Sequence, residues 1–175
     1  MPAGCEVEMN DPIERAQALV PVQYHQFDIK DEDAPAATAL DQKHNGLVSV
    51  AVDAITVLTG IHTGDVGVTV TLHSTRPEPD SADWQEIVEI SARSVSGELK
   101  VSGIMDDLDE ELPVLSFLGP GDYRLRIHAR GRDSAVDLAP DEVSEWYLVQ
   151  SWPEPPGKTA VLRQSDAYGA SVRDR

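Results

Sequence analysis

The acidic run MDDLDEEL, residues 105–112, holds the side chains best suited to bind a cation or to transfer a proton. Five carboxylates fill the six positions from Asp106 to Glu111, but the run lacks the alternating ligands and the central glycine of an EF-hand calcium loop. A catalytic carboxylate pair stays open, because the separation of the two groups in space decides that chemistry. Otherwise the run is either a solvated loop or a surface that contacts a cationic protein. The partner-binding residues in that last interpretation are Asp106, Asp107, Asp109, Glu110 and Glu111.

A second charged segment, GDYRLRIHARGRD at residues 121–133, concentrates four arginines and one histidine in a chain that is otherwise acidic. Its period-two alternation predicts a strand with apolar side chains inward and basic side chains outward. The outward residues are Arg124, Arg126, His128, Arg130 and Arg132. They either balance acids on an adjacent strand, such as Glu142 or Glu145, at about 0.2–1 kcal/mol per pair, or they recognise a partner. Arg124, Arg126 and Arg130 are therefore secondary partner-binding candidates.

Groups that could act as nucleophiles or ligate a metal are scattered. The five histidines lie at positions 25, 44, 62, 73 and 128, and Cys5 is the only cysteine. His62 and Asp65 could offer two ligands on a turn, but a structural zinc site needs about four. His73 and His128 lie at outward-facing positions of the alternating pattern, where contact with solvent is enough to explain a polar residue. Since the nucleophile elbow, HExxH helix, P-loop and glycine-rich dinucleotide turn are also missing, we predict no catalytic residue, no metal ligand and no cofactor.

The overall charge narrows the range of partners. The chain has 14 lysines and arginines against 31 aspartates and glutamates, a net charge of −17. Such a field repels nucleic acids and anionic membranes and attracts a basic protein. The N-terminal residues lack the basic and apolar regions of a signal peptide, and no apolar run reaches the roughly 20 residues of a membrane helix. These features predict a cytoplasmic protein whose partner is a basic protein.

The elements that must position these side chains are strands. DVGVTVTL (65–72) and GELKVS (97–102) alternate cleanly between apolar and polar residues. Less regular strands are predicted in VPVQYHQFDI, GLVSVAVDAITVLTG, WQEIVEIS, PVLSFLG and EWYLVQSW. About eight strands joined by turn-rich connections are typical of an antiparallel β-sandwich.

The predicted domain comprises residues 19–153. Residues 1–18 form an N-terminal extension, in which DPIERAQAL suggests a short helix with Asp11 as its cap. Residues 154–175 are proline-rich and then polar, which predicts an extended or disordered tail.

Two motifs carry a resemblance to a known family. VQYHQF (22–27) opens the first strand, and GPGDYRL (119–125) is a turn followed by a strand. Together with EWYLVQSWP (145–153), they resemble the competence protein J (ComJ) family, whose members inhibit a nuclease that acts as DNA enters competent bacteria. The resemblance spans about residues 20–153, and acidic insertions at 31–43 and 133–142 depart from it. The motif residues, which it implies are structural, are Tyr24, His25, Gln26, Phe27, Gly121, Asp122 and Tyr123.

The resemblance implies a bacterial inhibitor or immunity protein that binds a nuclease and is not an enzyme. The charge agrees with this role, because an acidic surface can occupy the basic cleft in which a nuclease holds phosphates. Two other classes remain open: an enzyme that uses carboxylates in a cleft, and a β-sandwich that binds calcium or another ligand. Melting temperatures with and without millimolar calcium separate them, since a ligand that binds only the folded state raises that temperature.

Overall fold

The computed structural model of the protein describes residues 12–32, 45–50, 54–80, 82–103 and 111–175. These residues form ten strands and one short helix. The elements are β1 (Glu14–Gln23), β2 (Gln26–Asp31), β3 (Val48–Val50), β4 (Ala54–Leu58), β5 (Thr63–Leu72), β6 (Glu86–Ser94), β7 (Leu99–Ser102), β8 (Gly121–Arg130), β9 (Trp146–Pro153), β10 (Ala160–Gln164) and α1 (Ala167–Arg173). No helix in the described part of the chain is long and apolar enough to cross a membrane.

All ten strands belong to one curled sheet, a mixed half-barrel. Its order is β10-β6-β8-β9-β5-β1-β2-β4-β3, with β7 paired to β2. The β5–β9 pair is parallel and the other pairs are antiparallel. The all-β class is confirmed, whereas this single mixed sheet replaces the predicted antiparallel sandwich. Alternation of apolar and polar residues shows only that each strand buries one face. Strands in a single curled sheet bury one face just as strands in two packed sheets do.

The sheet curls where β1 and β2 diverge. These two strands share only the pair Gln23 and Gln26, next to the turn that joins them. Beyond it β1 pairs along its whole length with β5, and β7 takes the place beside β2. The strand predicted in VPVQYHQFDI is therefore two strands broken by a turn at Tyr24 and His25.

The inner face of the curled sheet holds the core. The predicted inward residues are buried: Val66, Val68, Val70, Leu72, Leu99, Val101, Tyr123, Leu125, Ile127 and Ala129. β-branched side chains at alternate positions suit this pleated, half-buried surface. Leu112 and Leu115 complete the core from a turn segment rather than from the strand predicted in PVLSFLG.

Both chain ends differ from their predictions. The segment predicted as a short helix enters strand β1 at Glu14, because ten consecutive residues find a partner in β5 and Ala18, Val20 and Val22 reach the core. Tertiary pairing thus outweighs the local helix signal. The tail predicted as extended or disordered forms β10, which pairs with β6, and α1.

Candidate functional site

Three connections interlock at one end of the half-barrel. They are the β1–β2 turn, the β4–β5 loop and the β8–β9 connection. Thr59 N donates to His25 O at 2.8 Å, His62 N donates to Leu138 O at 2.8 Å, and Asp137 N donates to Gly60 O at 2.9 Å. We call residues 24–25, 59–63 and 136–138 the tip. A Cβ at Gly60 would overlap the Arg132 carbonyl oxygen, so these loops pack directly against one another.

The β1–β2 turn has an unusual backbone. Tyr24 and His25 have φ of 56° and 64°, the left-handed values that both central residues of a type I′ hairpin turn require. Asn-Gly is the common choice there, and other side chains cost of order 1–3 kcal/mol per residue. Asp137 has φ of 62°, and no other non-glycine residue in the described ranges has a positive φ. The three strained residues lie together, because His25 Nε2 is 2.9 Å from Asp137 Oδ1.

Aromatic rings hold the turn in place. The His62 ring lies edge-on to the rings of Tyr24 and His25, with centroids 5.3 and 5.2 Å apart. The His25 ring stacks on Tyr168 of α1, 6.1 Å between centroids. His25 Nδ1 donates to Thr59 O at 3.2 Å. His25 is thus fixed from three directions, while the Tyr24 ring remains 67% exposed.

Glu145 supports the β4–β5 loop from below. Its buried carboxylate accepts hydrogen bonds from Gly60 N at 3.0 Å, Ile61 N at 2.6 Å and the Tyr147 hydroxyl at 2.7 Å. Burial raises the pKa of Glu145, although these three donors favour its charged form. Its role is therefore to hold the backbone of the loop, and it is not the counter-ion to the arginines of β8 that we expected.

Arg132 and Asp166 attach α1 to the sheet. The Arg132 side chain is fully buried and donates to both carboxylate oxygens of Asp166, at 2.7 and 2.9 Å. It also donates to Gly46 O at 2.8 Å and to Leu58 O at 3.1 Å. Burial opposes its charge, but the hydrogen bonds to Asp166, together with the charges of Asp166 and Glu86, raise the pKa of Arg132. Its guanidinium carbon lies 5.2 Å from the Tyr168 ring, so the same residue helps to place the ring that stacks on His25.

Arg124 and Arg126 lie on the outer face of the sheet, as the alternation predicts, but loops shield them from solvent. Arg124 and Arg126 are 4% and 2% exposed. Their neighbours on the outer face of the sheet are Glu89 of β6 and Gln150 and Trp152 of β9, because β8 lies between β6 and β9. Neither Glu142 nor Glu145 is their counter-ion; Glu89 is, with Arg126 Nε at 2.9 Å and Arg124 Nε at 3.3 Å.

Loops cover this outer face. Arg126 Nη1 donates to Pro77 O at 3.1 Å, and Arg124 Nη2 donates to Lys158 O at 2.6 Å. Arg76 adds a third cation, 2.8 Å from Glu89 Oε1. Burial would raise the pKa of Glu89, but the hydrogen bonds from Arg76 and Arg126 hold it below its usual value. The guanidinium groups of Arg124 and Arg126 thus bind the protein's own loops.

His73 and His128, expected to be solvated, are buried, at 4% and 0% exposure. His128 Nδ1 donates to Leu148 O at 3.0 Å, and the ring lies 5.3 Å from that of Trp84. Burial lowers the pKa of His128 to about 4. Burial and the charge of Arg126 lower the pKa of His73 in the same direction.

We expect acid to destabilise the fold through His128. The unfolded chain binds a proton near pH 6.5 and the folded chain only near pH 4, so the free energy of unfolding falls as pH drops through that window. At 1.36 kcal/mol per unit, the loss is about 3 kcal/mol. Urea unfolding at pH 7.5, 6, 5 and 4 measures it. His128→Asn, whose amide can still donate to Leu148 O, should flatten the profile in this window, and an unchanged slope would contradict the assignment.

The remaining predicted site residues are dispersed. Asp106, Asp107, Asp109 and Glu110 lie outside the described residues, and Glu111 is exposed. The Arg130 guanidinium carbon is 5.2 Å from the Trp84 ring. In the described ranges, no group of three or more His, Cys, Asp or Glu side chains could hold a metal ion, and His62 instead contacts the aromatic rings of the tip.

The family-motif residues divide between the tip and structural positions. Phe27 is buried edge-on against Tyr147, and the Gln26 amide donates to Asp28 Oδ1 at 3.3 Å. Gly121 and Asp122 begin β8, opposite Ser94 and Arg93. The Tyr123 hydroxyl donates to Gly119 O at 2.7 Å and accepts from Leu118 N at 3.1 Å, which fixes the turn before its strand.

Sequence reasoning did not find His62 and Asp137 of the tip as contacts of the turn, nor Tyr168 of α1, which stacks on His25. They come from three separate stretches of the chain, and no local spacing links them. One signal was available. Tyr24 and His25 separate two apolar runs by two residues, the length of a tight hairpin turn.

No protein-family model and no curated protein sequence matches this chain. Solved structures do. ComJ from Bacillus subtilis, the inhibitor of the DNA-degrading activity of NucA, aligns with a TM-score of 0.56 at 18% identity, covering 82% of this chain and 98% of ComJ. The chain has the fold of ComJ. The protein of crocagin biosynthetic gene J aligns with a TM-score of 0.54 at 17% identity, covering 81% of this chain and 98% of its own. The resemblance indicated by VQYHQF and GPGDYRL is thereby confirmed for the fold.

Proposed function

We propose that this chain is a protein inhibitor that binds a nuclease and is not itself an enzyme. The observation that carries the proposal is the fold shared with ComJ, an inhibitor of a DNA-degrading nuclease, over nearly the whole length of ComJ. The net charge of −17 supports it, because a nuclease presents a basic surface to its phosphate substrate and an acidic protein is drawn to that surface. A cytoplasmic location remains a prediction.

The direct test is a titration of the purified protein into a NucA-like nuclease from the same organism. DNA degradation should fall in proportion to the inhibitor added and stop near one equivalent, and light scattering should detect the complex. The protein should also inhibit degradation of several DNA sequences equally well, because it binds the nuclease and not the DNA. Full nuclease activity in a tenfold excess of the protein would refute the proposal.

The acidic run from Asp106 to Glu111 should contribute long-range attraction in this complex. We expect that neutralising Asp106, Asp107, Glu110 and Glu111 to Asn or Gln slows association by about tenfold at low salt. The effect should fade near 0.15 M salt, where the Debye length is about 8 Å. Stopped-flow binding at two salt concentrations measures both quantities.

A matched control separates local from overall charge. Neutralising four exposed acids elsewhere, Glu14, Asp83, Glu98 and Asp174, removes the same net charge. If both sets slow association equally, the acidic run has no special part in attracting the nuclease, and only the overall field matters.

A further inference from the structure

We propose that the tip is the surface on which the basic partner protein docks, with Tyr24 at its centre. This inference rests on the proposed function and specifies the part of the molecule that the partner contacts. It assigns a binding role to Tyr24 and His25, which the sequence motifs alone suggested were structural.

Exposed apolar side chains cluster at the tip. Tyr24 is 67% exposed, Leu138 59% and Val136 38%. Tyr24 and Leu138 are neighbours through His62, whose ring contacts Tyr24 and whose backbone N–H donates to Leu138 O. Tyrosine is enriched at the energetic centres of protein interfaces, since it offers a large contact area for the loss of few rotatable bonds.

The backbone at the tip is held in a costly conformation. Tyr24, His25 and Asp137 all have left-handed φ, and the contact between His25 Nε2 and Asp137 Oδ1 joins the two strained loops. Glu145 supports the loop between them, and α1 supports His25 through Tyr168. Strain of this kind is retained where the surrounding structure imposes it, and it concentrates at functional sites. A rigid surface also loses little conformational entropy when a partner binds.

The charges around Tyr24 match a basic partner. Asp65, on β5 just after the β4–β5 loop, is exposed. The exposed acids of the β8–β9 connection are Asp133, Asp137, Asp141 and Glu142. Exposed apolar residues on loops that also carry exposed carboxylates suit an interface that attracts a cationic protein.

The chain enters the acidic run from Gly103, which lies beside β1. Gly103, the last described residue before it, packs against Pro21, and a Cβ there would lie 2.8 Å from Pro21 Cδ. Pro21 is three residues before Tyr24. Gly103 therefore lies next to the stretch of β1 that leads into the turn at Tyr24.

The test replaces the Tyr24 ring and keeps its backbone. Asparagine tolerates left-handed φ, so Tyr24→Asn removes the ring without adding strain. We expect its affinity for the NucA-like nuclease to fall about 30-fold, the loss typical of a hot-spot residue, mainly through faster dissociation. Leu118→Asn is the matched control, because Leu118 is 66% exposed beyond the opposite end of β8 and should bind like the wild type.

The outcomes separate the two proposals. If the wild type does not bind the nuclease, the proposed function fails and this inference fails with it. If the wild type binds and inhibits but Tyr24→Asn does so equally well, the function stands and the docking surface lies elsewhere. Hydrogen exchange of the complex should protect residues 24–25, 59–63 and 136–138, and protection confined to other residues would overturn the inference. Self-association of the free protein that Tyr24→Asn abolishes would assign the tip to a second copy and overturn it too.

Discussion

Replacing Arg126 with glutamine should lower the free energy of unfolding by about 3–5 kcal/mol, the usual cost of breaking a buried ion pair from one side. Arg126 is 2% exposed, and it neutralises Glu89, which is equally shielded. Its loss leaves the buried carboxylate with fewer donors and frees Gln150 Oε1 and Pro77 O from their hydrogen bonds. It also removes a guanidinium that lies 5.1 Å from the Trp152 ring. The interior position raises this cost above the 1 kcal/mol or less that an exposed pair would contribute.

Chemical unfolding of Arg126→Gln beside Arg93→Gln measures the difference. Arg93 is exposed on the neighbouring strand β6, so its replacement should change stability by less than about 0.5 kcal/mol. Arg126→Lys should recover only part of the loss, because an ammonium group cannot reproduce the hydrogen bonds of the guanidinium to Glu89, Gln150 and Pro77. Equal stability of Arg126→Gln and Arg93→Gln would show that the buried cluster contributes nothing beyond a surface pair.

The contrast between the two faces of β8 shows what alternation can predict. Tyr123, Leu125, Ile127 and Ala129 are inward as predicted, since period-two spacing identifies residues that share a face. It does not reveal what lies over the other face. Arg124 and Arg126 are buried by carbonyl groups from residues 77 and 157–158, and the bonded residues are at least 33 positions apart in sequence. Burial by distant loops leaves no local pattern in the sequence. A buried row of arginines on a strand therefore has the same sequence pattern as an exposed one.

The tip was harder still to predict. Tyr24 and His25 lack the Asn-Gly signature of a type I′ turn, and the apolar residues on both sides made one continuous strand the simpler interpretation. Tyr168 lies 143 residues from His25, in a tail whose composition indicated disorder. Only the fold joins them. The charge, by contrast, is visible in the composition alone, so the sequence supported a basic partner before it could indicate where that partner binds.

Replacing Arg132 with methionine should have the largest effect of any single change proposed. Arg132 and Asp166 are fully buried as an ion pair, and Glu86 lies 3.6 Å from Arg132 Nη2. Burial and the charge of Asp166 already raise the pKa of Glu86. Without the guanidinium, two carboxylates remain buried together, and Gly46 O and Leu58 O lose their donors. We expect a loss of about 5 kcal/mol, the upper end for a broken buried pair and comparable to the total stability of many domains.

The loss should begin at α1. Arg132 joins Asp166, the N-cap of the helix, to β3 and β4 through the carbonyls of Gly46 and Leu58, so the variant should release the tail before the sheet unfolds. Brief trypsin digestion should then cut after Lys158 and Arg163 much faster than in the wild type. Arg175→Gln, an exposed arginine beyond the same helix, should leave both rates unchanged. A double-mutant cycle of Arg132→Met with Asp166→Asn should give a coupling energy of at least about 1 kcal/mol, and additive effects would mean that the two side chains stabilise the fold independently.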